Sequence, residues 1–385
     1  MSSPPRVFLS CAELSGDRHL AKLASAVRAL RPEVALEGVG GEAMRAAGVT
    51  VHHETVRKAR MGLGAFVRAR EVLGILKWTR RHFRENGSPD LVVCCDSWTM
   101  NKHFLALARE FGVPTMYYVS PQVWASREGR VKRMRKLIDR MAVILPFEEP
   151  WLRERGLDAT FVGHPIFDEL PAETPAFDAS ERFPSRPPVI ALNAGSRRKV
   201  ARDNFPLQLE VARQVRAAFP EARFVSPTVA VTHEIVSSAA AGLDWVTVKQ
   251  DAFDELVAGS DACLCVSGTA TLHTAAHGVP LVAVYAAPRL AWELLGRWLI
   301  NTRTFALVNW LHPRREHVVP EFIPWFGDTR PVADLLIDWL RHPEKLAAQR
   351  DAQAAVVDPL RKQGASDNAA RMVVEMLESP RRASA

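Results

Sequence analysis

Short apolar runs recur along the chain, each ending in small or polar residues and most followed by a helical pattern. Arg6–Cys11 leads into Gly16 and a helix through Leu30, and Leu91–Cys95 leads into Asp96 and a helix through Phe111. Thr115–Val119 meets Ser120-Pro121, Met141–Leu145 meets Pro146, and Asp158–Val162 ends in Gly163-His164-Pro165. This alternation predicts parallel strands joined by crossover helices, a doubly wound sheet. A Pro-rich stretch from Pro165 to Pro188 reads as a linker. The rhythm then restarts: Val189–Leu192 precedes Gly195-Ser196-Arg197 and a helix around Leu207–Phe219. Further strands are predicted at Arg223–Ser226, Trp245–Val248, Ala262–Val266 and Leu281–Tyr285, and helix from Val332 to Leu377.

The pattern gives an α/β chain of two doubly wound Rossmann-like domains facing a cleft. The expected division is 1–165, a linker 166–188, 189–345, and terminal helices 346–385. By analogy with two-lobed enzymes, the terminal helices are expected to cross back to the first domain. A length of 385 residues agrees with two cores rather than one. In such sheets ligands gather at the carboxyl ends of the strands, so functional residues are expected just after each apolar run.

Composition narrows the classes. No run reaches 18 uncharged apolar residues, so no membrane-spanning helix is expected. Met1–Arg6 lacks the charged segment and long apolar run of a signal peptide. The five cysteines, 11, 94, 95, 263 and 265, are odd in number and include an adjacent pair. They predict buried reduced thiols and a cytoplasmic setting rather than a disulfide framework. A net charge of +7 permits nucleic acid, anionic lipid or phosphorylated substrates as partners. No nucleic-acid module is recognisable, which favours the last two. A homo-oligomer is allowed, and no cofactor is called for.

Five segments carry candidate chemistry. In Glu13-Leu14-Ser15-Gly16-Asp17, Gly16 allows close backbone approach, while Glu13 and Asp17 offer carboxylates beside a helix start. Ser15 or Asp17 as a helix cap is the plainer reading. Asp96-Ser97-Trp98-Thr99-Met100-Asn101 places Asp96 at a strand end, as a general base, a hydroxyl binder or a cap. Tyr118-Val119-Ser120-Pro121-Gln122-Val123-Trp124 supplies hydroxyl and aromatic groups, with Trp124 equally suited to a core. Gly195-Ser196-Arg197 can present N–H groups and a guanidinium fork to a diphosphate, or be a solvated basic turn. Ser267-Gly268-Thr269-Ala270-Thr271-Leu272 begins a helix with small hydroxyl residues, the best local phosphate site in the chain. His273 and His277 share a helical face, but no third ligand is evident and no metal is expected.

Residues 63–83 combine Phe66, Val67, Leu73, Leu76, Trp78 and Phe83 with Arg68, Arg70, Lys77, Arg80 and Arg81. Such a helix suits an anionic membrane surface, with Phe66, Leu73, Leu76 and Trp78 as its apolar face, or else packs in a domain. A second such segment contains Leu290, Trp292, Leu294, Leu295, Trp298 and Leu299.

Taken in order, these motifs resemble the lipid-A-disaccharide synthase family. They are joined by Met61-Gly62, Glu71-Val72-Leu73, Leu145-Pro146-Phe147-Glu148, Gly163-His164-Pro165, Gly278-Val279-Pro280 and Val319-Pro320-Glu321. The resemblance implies a GT-B fold and an inverting glycosyl transfer from UDP-2,3-diacylglucosamine to 2,3-diacylglucosamine 1-phosphate (lipid X), at the inner face of the cytoplasmic membrane. The products would be the β-1′,6-linked disaccharide phosphate and UDP. It implies Asp96 or Glu13 as the base, and Gly195, Ser196, Arg197, Ser267, Gly268, Thr269 and His273 around the nucleotide. Ser15, Gly16, Asp17, Met61, Asn101, Ser120 and Trp124 fall on the acceptor side. The chain departs from the family's Asp-x-Pro-Asp-Phe-Asn at Thr99, which stands for the second Asp. It departs again at His273, which stands for a Glu placed to grip a ribose. A related transferase with other substrates, or a non-catalytic paralogue binding lipid or nucleotide sugar, is the alternative these changes admit.

Overall fold

The computed structural model describes residues 4–56, 65–124, 128–168, 170, 186–289, 292–293, 304–312, 314, 316–361 and 364–379, without the side chains of 65–69. It forms two compact units, Met1–Asp168 with Gln363–Ala385, and Glu169–Lys362.

The first unit is built on a seven-stranded sheet in the order β3-β2-β1-β4-β5-β6-β7, with every pairing parallel. Its strands are β1 Arg6–Ser10, β2 Ala35–Gly40, β3 Thr50–Glu54, β4 Leu91–Cys95, β5 Thr115–Tyr118, β6 Arg140–Val143 and β7 Ala159–Phe161. The central strands read as unbroken apolar runs because both faces are covered. Val7, Leu9, Leu91, Val93 and Cys95 pack with the helices Leu14–Leu30 and Ala365–Glu378. Phe8, Val92 and Cys94 pack on the other face with the helices Ala65–Asn86, Trp98–Glu110 and Val131–Leu137. Hydrophobic pattern alone missed β2 and β3. The reason is Glu37 on β2, which accepts Arg6 at 2.5 Å through one oxygen and faces His52 and His82, each at 2.9 Å, through the other. A polar network fills the place a core residue would signal.

The second unit repeats the plan with six parallel strands, β10-β9-β8-β11-β12-β13. They are β8 Val189–Asn193, β9 Arg223–Thr228, β10 Val246–Gln250, β11 Ala262–Val266, β12 Leu281–Ala286 and β13 Glu321–Trp325. β13, which contains Pro324, was not expected. The helix Pro343–Val357 stays with this unit, so the expected boundary at 345/346 falls inside it. Buried Gln353 holds it there, accepting the Leu281 N–H at 3.2 Å and donating to the Val279 carbonyl at 3.0 Å.

The last helix, Ala365–Glu378, lies on Leu14–Leu30 in the first unit. Asp168 caps its start, accepting the N–H groups of Ala365 (3.0 Å) and Ser366 (3.1 Å) and the Ser366 hydroxyl (2.6 Å). Asn368 donates to the Val162 carbonyl at 3.0 Å. The five cysteines are free and buried.

Asp168→Ala removes a charged acceptor from three donors and should cost the first unit about 2–4 kcal/mol. Urea unfolding, with hydrogen exchange read at amides 365–378, checks this. Unchanged protection there would mean the helix docks without its cap.

Candidate active site

In the first unit the strand order reverses between β1 and β4, and the loops that follow these two strands form one polar cluster. Gly16 opens the way: a Cβ there would meet the Cys11 Cβ at 3.0 Å and the Cys95 carbonyl oxygen at 3.5 Å. Its absence lets the helix Leu14–Leu30 start directly over both strand ends. Ser15 then donates to an Asp96 carboxylate oxygen at 3.2 Å. Asp96 and Ser97 hold positive φ, 54° and 29°, a conformation that non-glycine residues adopt only under surrounding constraint. The constraint is visible. Asn101 donates to the carbonyls of Cys95 (2.8 Å) and Asp96 (3.0 Å), the Tyr117 hydroxyl donates to the Asp96 carbonyl, and the Asp96 carboxylate accepts its neighbour's N–H at 2.8 Å. The half-buried Asp96 carboxylate is thus aimed by backbone geometry rather than by a flexible side chain. Glu13, at the N-cap of the first helix, is exposed.

Several residues expected on the acceptor side have other work. Asp17 is 1 % exposed and caps the helix Glu42–Ala46, accepting the N–H groups of Gly41 (2.8 Å), Ala43 (2.9 Å) and Met44 (3.2 Å). Asn101 is fully buried, its oxygen accepting Ser10 at 2.9 Å, so it positions Asp96 and cannot itself meet a ligand. Ser120 is buried with its hydroxyl on the Pro121 carbonyl at 3.1 Å. Met61 lies outside the described residues.

Trp124 donates to buried Glu148 at 3.0 Å and meets Phe147 edge-on at 5.0 Å. The second Glu148 oxygen accepts the Leu145 N–H at 3.1 Å. Burial outweighs these hydrogen bonds and pushes the carboxyl up to about 7.

The membrane reading of Ala65–Asn86 is also revised. Ile75, Thr79 and Phe83 are buried, and Val72 and Leu76 pack against the same core. Trp78 stacks on His82 at 4.8 Å and meets His53 at 4.6 Å. Leu76 and Trp78 are therefore packing residues. Leu73, 57 % exposed, remains on an outer face with Arg70, Lys77, Arg81 and Arg84. The side chain of Phe66 lies outside the described residues, as does most of the second apolar segment; Trp292 meets Phe305 at 6.3 Å.

The second unit reverses order between β8 and β11, and both predicted phosphate segments sit there. Gly195, with φ 89°, turns the chain where a Cβ would crowd Val200 at 3.1 Å, and its N–H is held by Asn193 at 3.0 Å. Ser196 and Arg197 follow, exposed at the start of the helix Arg198–Ala218, and Arg197 meets no carboxylate among the described residues. After β11, Ser267 donates to the Phe305 carbonyl at 2.8 Å, and Gly268 (φ 146°) precedes the helix Thr269–Ala276. Its first N–H groups have no intrahelical acceptor, which suits an anion. Thr271 braces the turn, donating to Gly268 at 2.8 Å and accepting Leu307 N–H at 3.3 Å. Glu321 fixes the same loop by accepting the N–H groups of Phe305 and Ala306.

One turn along, His273 stacks on Phe253 at 4.4 Å, and it and His277 each meet Asp254 Oδ1 at 2.7 Å. The hydrogen bond from His273 holds the Asp254 carboxyl well below the usual range, while burial pushes the His277 imidazole down. The third group that the helical spacing lacked is therefore Asp254, brought in from the helix Phe253–Ala258; nothing local in sequence signals it. Asp254, His273 and His277 place three ligand atoms within 4.8 Å of one another, as do Glu37, His52 and His82, so either trio has the donor set for a divalent metal.

Glu148 gives a pH dependence of defined sign. Between its ordinary value of 4.5 and about 7 the folded chain keeps a proton that the unfolded chain releases. Its contribution to stability is whole below that window and falls as pH rises through it. Denaturation across pH 5–7.5 should show a shallower decline for Glu148→Gln than for the parent; equal slopes would contradict the buried-carboxyl account.

The family model described as lipid-A-disaccharide synthetase matches residues 7–374. The lipid-A-disaccharide synthase of Geobacter sulfurreducens is 35 % identical over 377 residues, covering 97 % of both chains. That of Myxococcus xanthus is 33 % identical over 387 residues, covering 98 % of this chain and 99 % of its own. Among solved structures, the Neisseria meningitidis UDP-GlcNAc 2-epimerase bound to UDP-GlcNAc aligns with TM-score 0.62 at 13 % identity, covering 97 % of this chain and 98 % of its own. The calicheamicin glycosyltransferase aligns at 0.58 and 18 %, covering 98 % and 99 %. At these identities the structures show the fold: paired doubly wound α/β units of the GT-B kind.

Proposed function

The chain belongs to the lipid-A-disaccharide synthetase family and is a hexosyltransferase, and on that premise we propose that it joins UDP-2,3-diacylglucosamine to 2,3-diacylglucosamine 1-phosphate with inversion, releasing UDP. The observation that carries the reading is the pairing of two anion-ready turns, Gly195–Arg197 and Ser267–Thr269, at the ends of the adjacent strands β8 and β11. Together they offer backbone N–H groups, a guanidinium and a helix start to one diphosphate.

In the reaction the acceptor's 6-hydroxyl oxygen bonds to the anomeric carbon of the donor sugar. The bond from that carbon to the diphosphate oxygen breaks, and its electron pair leaves with UDP. Arg197 and the N–H groups of Gly268 and Thr269 stabilise the charge that develops there. The proton of the attacking hydroxyl goes to the Asp96 carboxylate, since Thr99 is no base near neutral pH. Glu13 orients the acceptor beside it. Asp254, anchored by His273 and His277 yet 63 % exposed in its side chain, supplies a carboxylate for ribose hydroxyls in place of the Glu that His273 replaces.

No helix among the described residues is long and apolar enough to cross a membrane. The acylated substrates are met at the cytoplasmic membrane surface through the outer face of Ala65–Asn86, where Leu73 lies among arginines and Lys77.

Disaccharide formation followed by mass spectrometry tests the assignment. Arg197→Ala and Asp96→Asn should each lower turnover about a hundredfold or more, within the range for losing an electrostatic stabiliser or a general base. Asp96→Asn should leave donor binding intact. Normal turnover in Asp96→Asn with a dead Glu13→Gln would reverse the two carboxylate roles, and full activity in Arg197→Ala would remove the diphosphate assignment.

A further inference from the structure

The second unit brings three metal-capable side chains to one point. His273, on the helix Thr269–Ala276, and His277, at its C-cap, lie four residues apart and share one face. Asp254 comes in from the first turn of the helix Phe253–Ala258. Both imidazoles turn Nε2 to the same carboxylate oxygen, Asp254 Oδ1, each at 2.7 Å. A column of rings fixes this direction. Phe253 stacks on His273 at 4.4 Å with 26° between the planes, and His273 stacks on His277 at 5.3 Å with 23°. One helix thus supplies both the carboxylate and the ring that orients its partner. Access is graded, because the side chains are 63 % exposed at Asp254, 24 % at His273 and 7 % at His277. An ion arriving from the Asp254 side therefore reaches a donor that is nearly buried.

Two imidazole nitrogens and a carboxylate oxygen suit Zn2+ and its neighbours in the first transition row, whereas Mg2+ and Ca2+ prefer oxygen alone. We propose that Asp254, His273 and His277 bind one divalent ion of the Zn2+ class, with solvent in the remaining position. A tetrahedral ion about 2.0–2.2 Å from each donor keeps the donors on the order of 3.4 Å apart. The exposed Asp254 side chain draws back by a fraction of an ångström to admit it, and each ring then carries its proton on Nδ1. The other trio, Glu37, His52 and His82, is a poorer host. Arg6 donates to Glu37 at 2.5 Å and stands 3.5 Å from His82 Nε2, so a cation already answers that carboxylate. Among the described residues Asp254 pairs with the two imidazoles and with no guanidinium or ammonium group. Arg361 acts on His277 through space, but it is tied to Asp358 at 2.8 Å and to the Ala276 carbonyl. The ion clasps Phe253–Ala258 to Thr269–Ala276, the helix whose start forms an anion-ready turn. The site stands apart from the transfer reading, since ligation through Oδ1 leaves Oδ2 for a ribose hydroxyl.

Metal binding itself is the test. The full chain, stripped with a chelator, is titrated with Zn2+ by calorimetry and with Co2+ by visible absorption. One ion should be taken up per chain, with the intense d–d bands of a four-coordinate Co2+ site. Zinc should also raise Tm, because it binds the folded chain. Asp254→Ala and His273→Gln should each weaken binding about tenfold or more and abolish both the Co2+ bands and the rise in Tm. Both positions reach solvent, so neither change opens the core; if one variant melts early without metal, the other carries the same test. His52→Gln, in the other trio, should bind zinc as the parent does, and excess Mg2+ should not displace it. No uptake by the parent, parent-like uptake in Asp254→Ala and His273→Gln, displacement by Mg2+, or loss in His52→Gln with His273→Gln unaffected would each overturn the assignment.

Discussion

Both units depend on satisfying the backbone where two central strands part. At a switch point the connections diverge to opposite sides, and a buried backbone carbonyl beside it costs free energy unless a donor reaches it. Each unit meets this with a buried carboxamide. In the first, Asn101 donates to the carbonyls of Cys95 and Asp96 and accepts from Ser10, tying β4 to β1. In the second, Gln208 donates to the carbonyls of Asn193 (3.0 Å) and Leu264 (3.3 Å), tying β8 to β11. The candidate chemistry sits directly on these ties, so the residues that keep the sheet whole also fix the loops. Asp96 is the clearest case, since its positive φ is held by donors from Asn101 and Tyr117.

How much of this was legible in the sequence follows from the same physics. Strands buried on both faces, such as Leu91–Cys95 and Ala262–Val266, announce themselves as apolar runs, and the turn after each could be named from its small residues. β2 and β3 could not, because Glu37, His52 and His82 satisfy one another across strands and a helix. Site membership was read only to the level of the loop. Asp17 and Asn101 stand in the expected segments, but both are turned inward to cap a helix and clamp strand ends. Whether a polar residue faces ligand or backbone depends on neighbours distant in sequence, such as Gly41 for Asp17. Asp254 was missed for the same reason, since it reaches the two histidines from a separate segment.

The chemistry divides cleanly by unit. The second presents anion-ready turns whose N–H groups and Arg197 suit a departing diphosphate. The first presents a carboxylate held by strained backbone, beside a pocket lined by Lys102, Arg130 and Arg133. Thr99 and His273 break the family's pattern at one position in each half. Thr99 lines that pocket, and the Asp254 carboxylate meets His273 at 2.7 Å.

The most direct measurement is the anomeric configuration and nucleotide yield of the product. Purified chain incubated with UDP-2,3-diacylglucosamine and 2,3-diacylglucosamine 1-phosphate should form a β-linked disaccharide phosphate, with one UDP released per linkage, as seen by NMR of the product and chromatography of the nucleotide. An α-linked product, or UDP released with no disaccharide formed, would contradict the account.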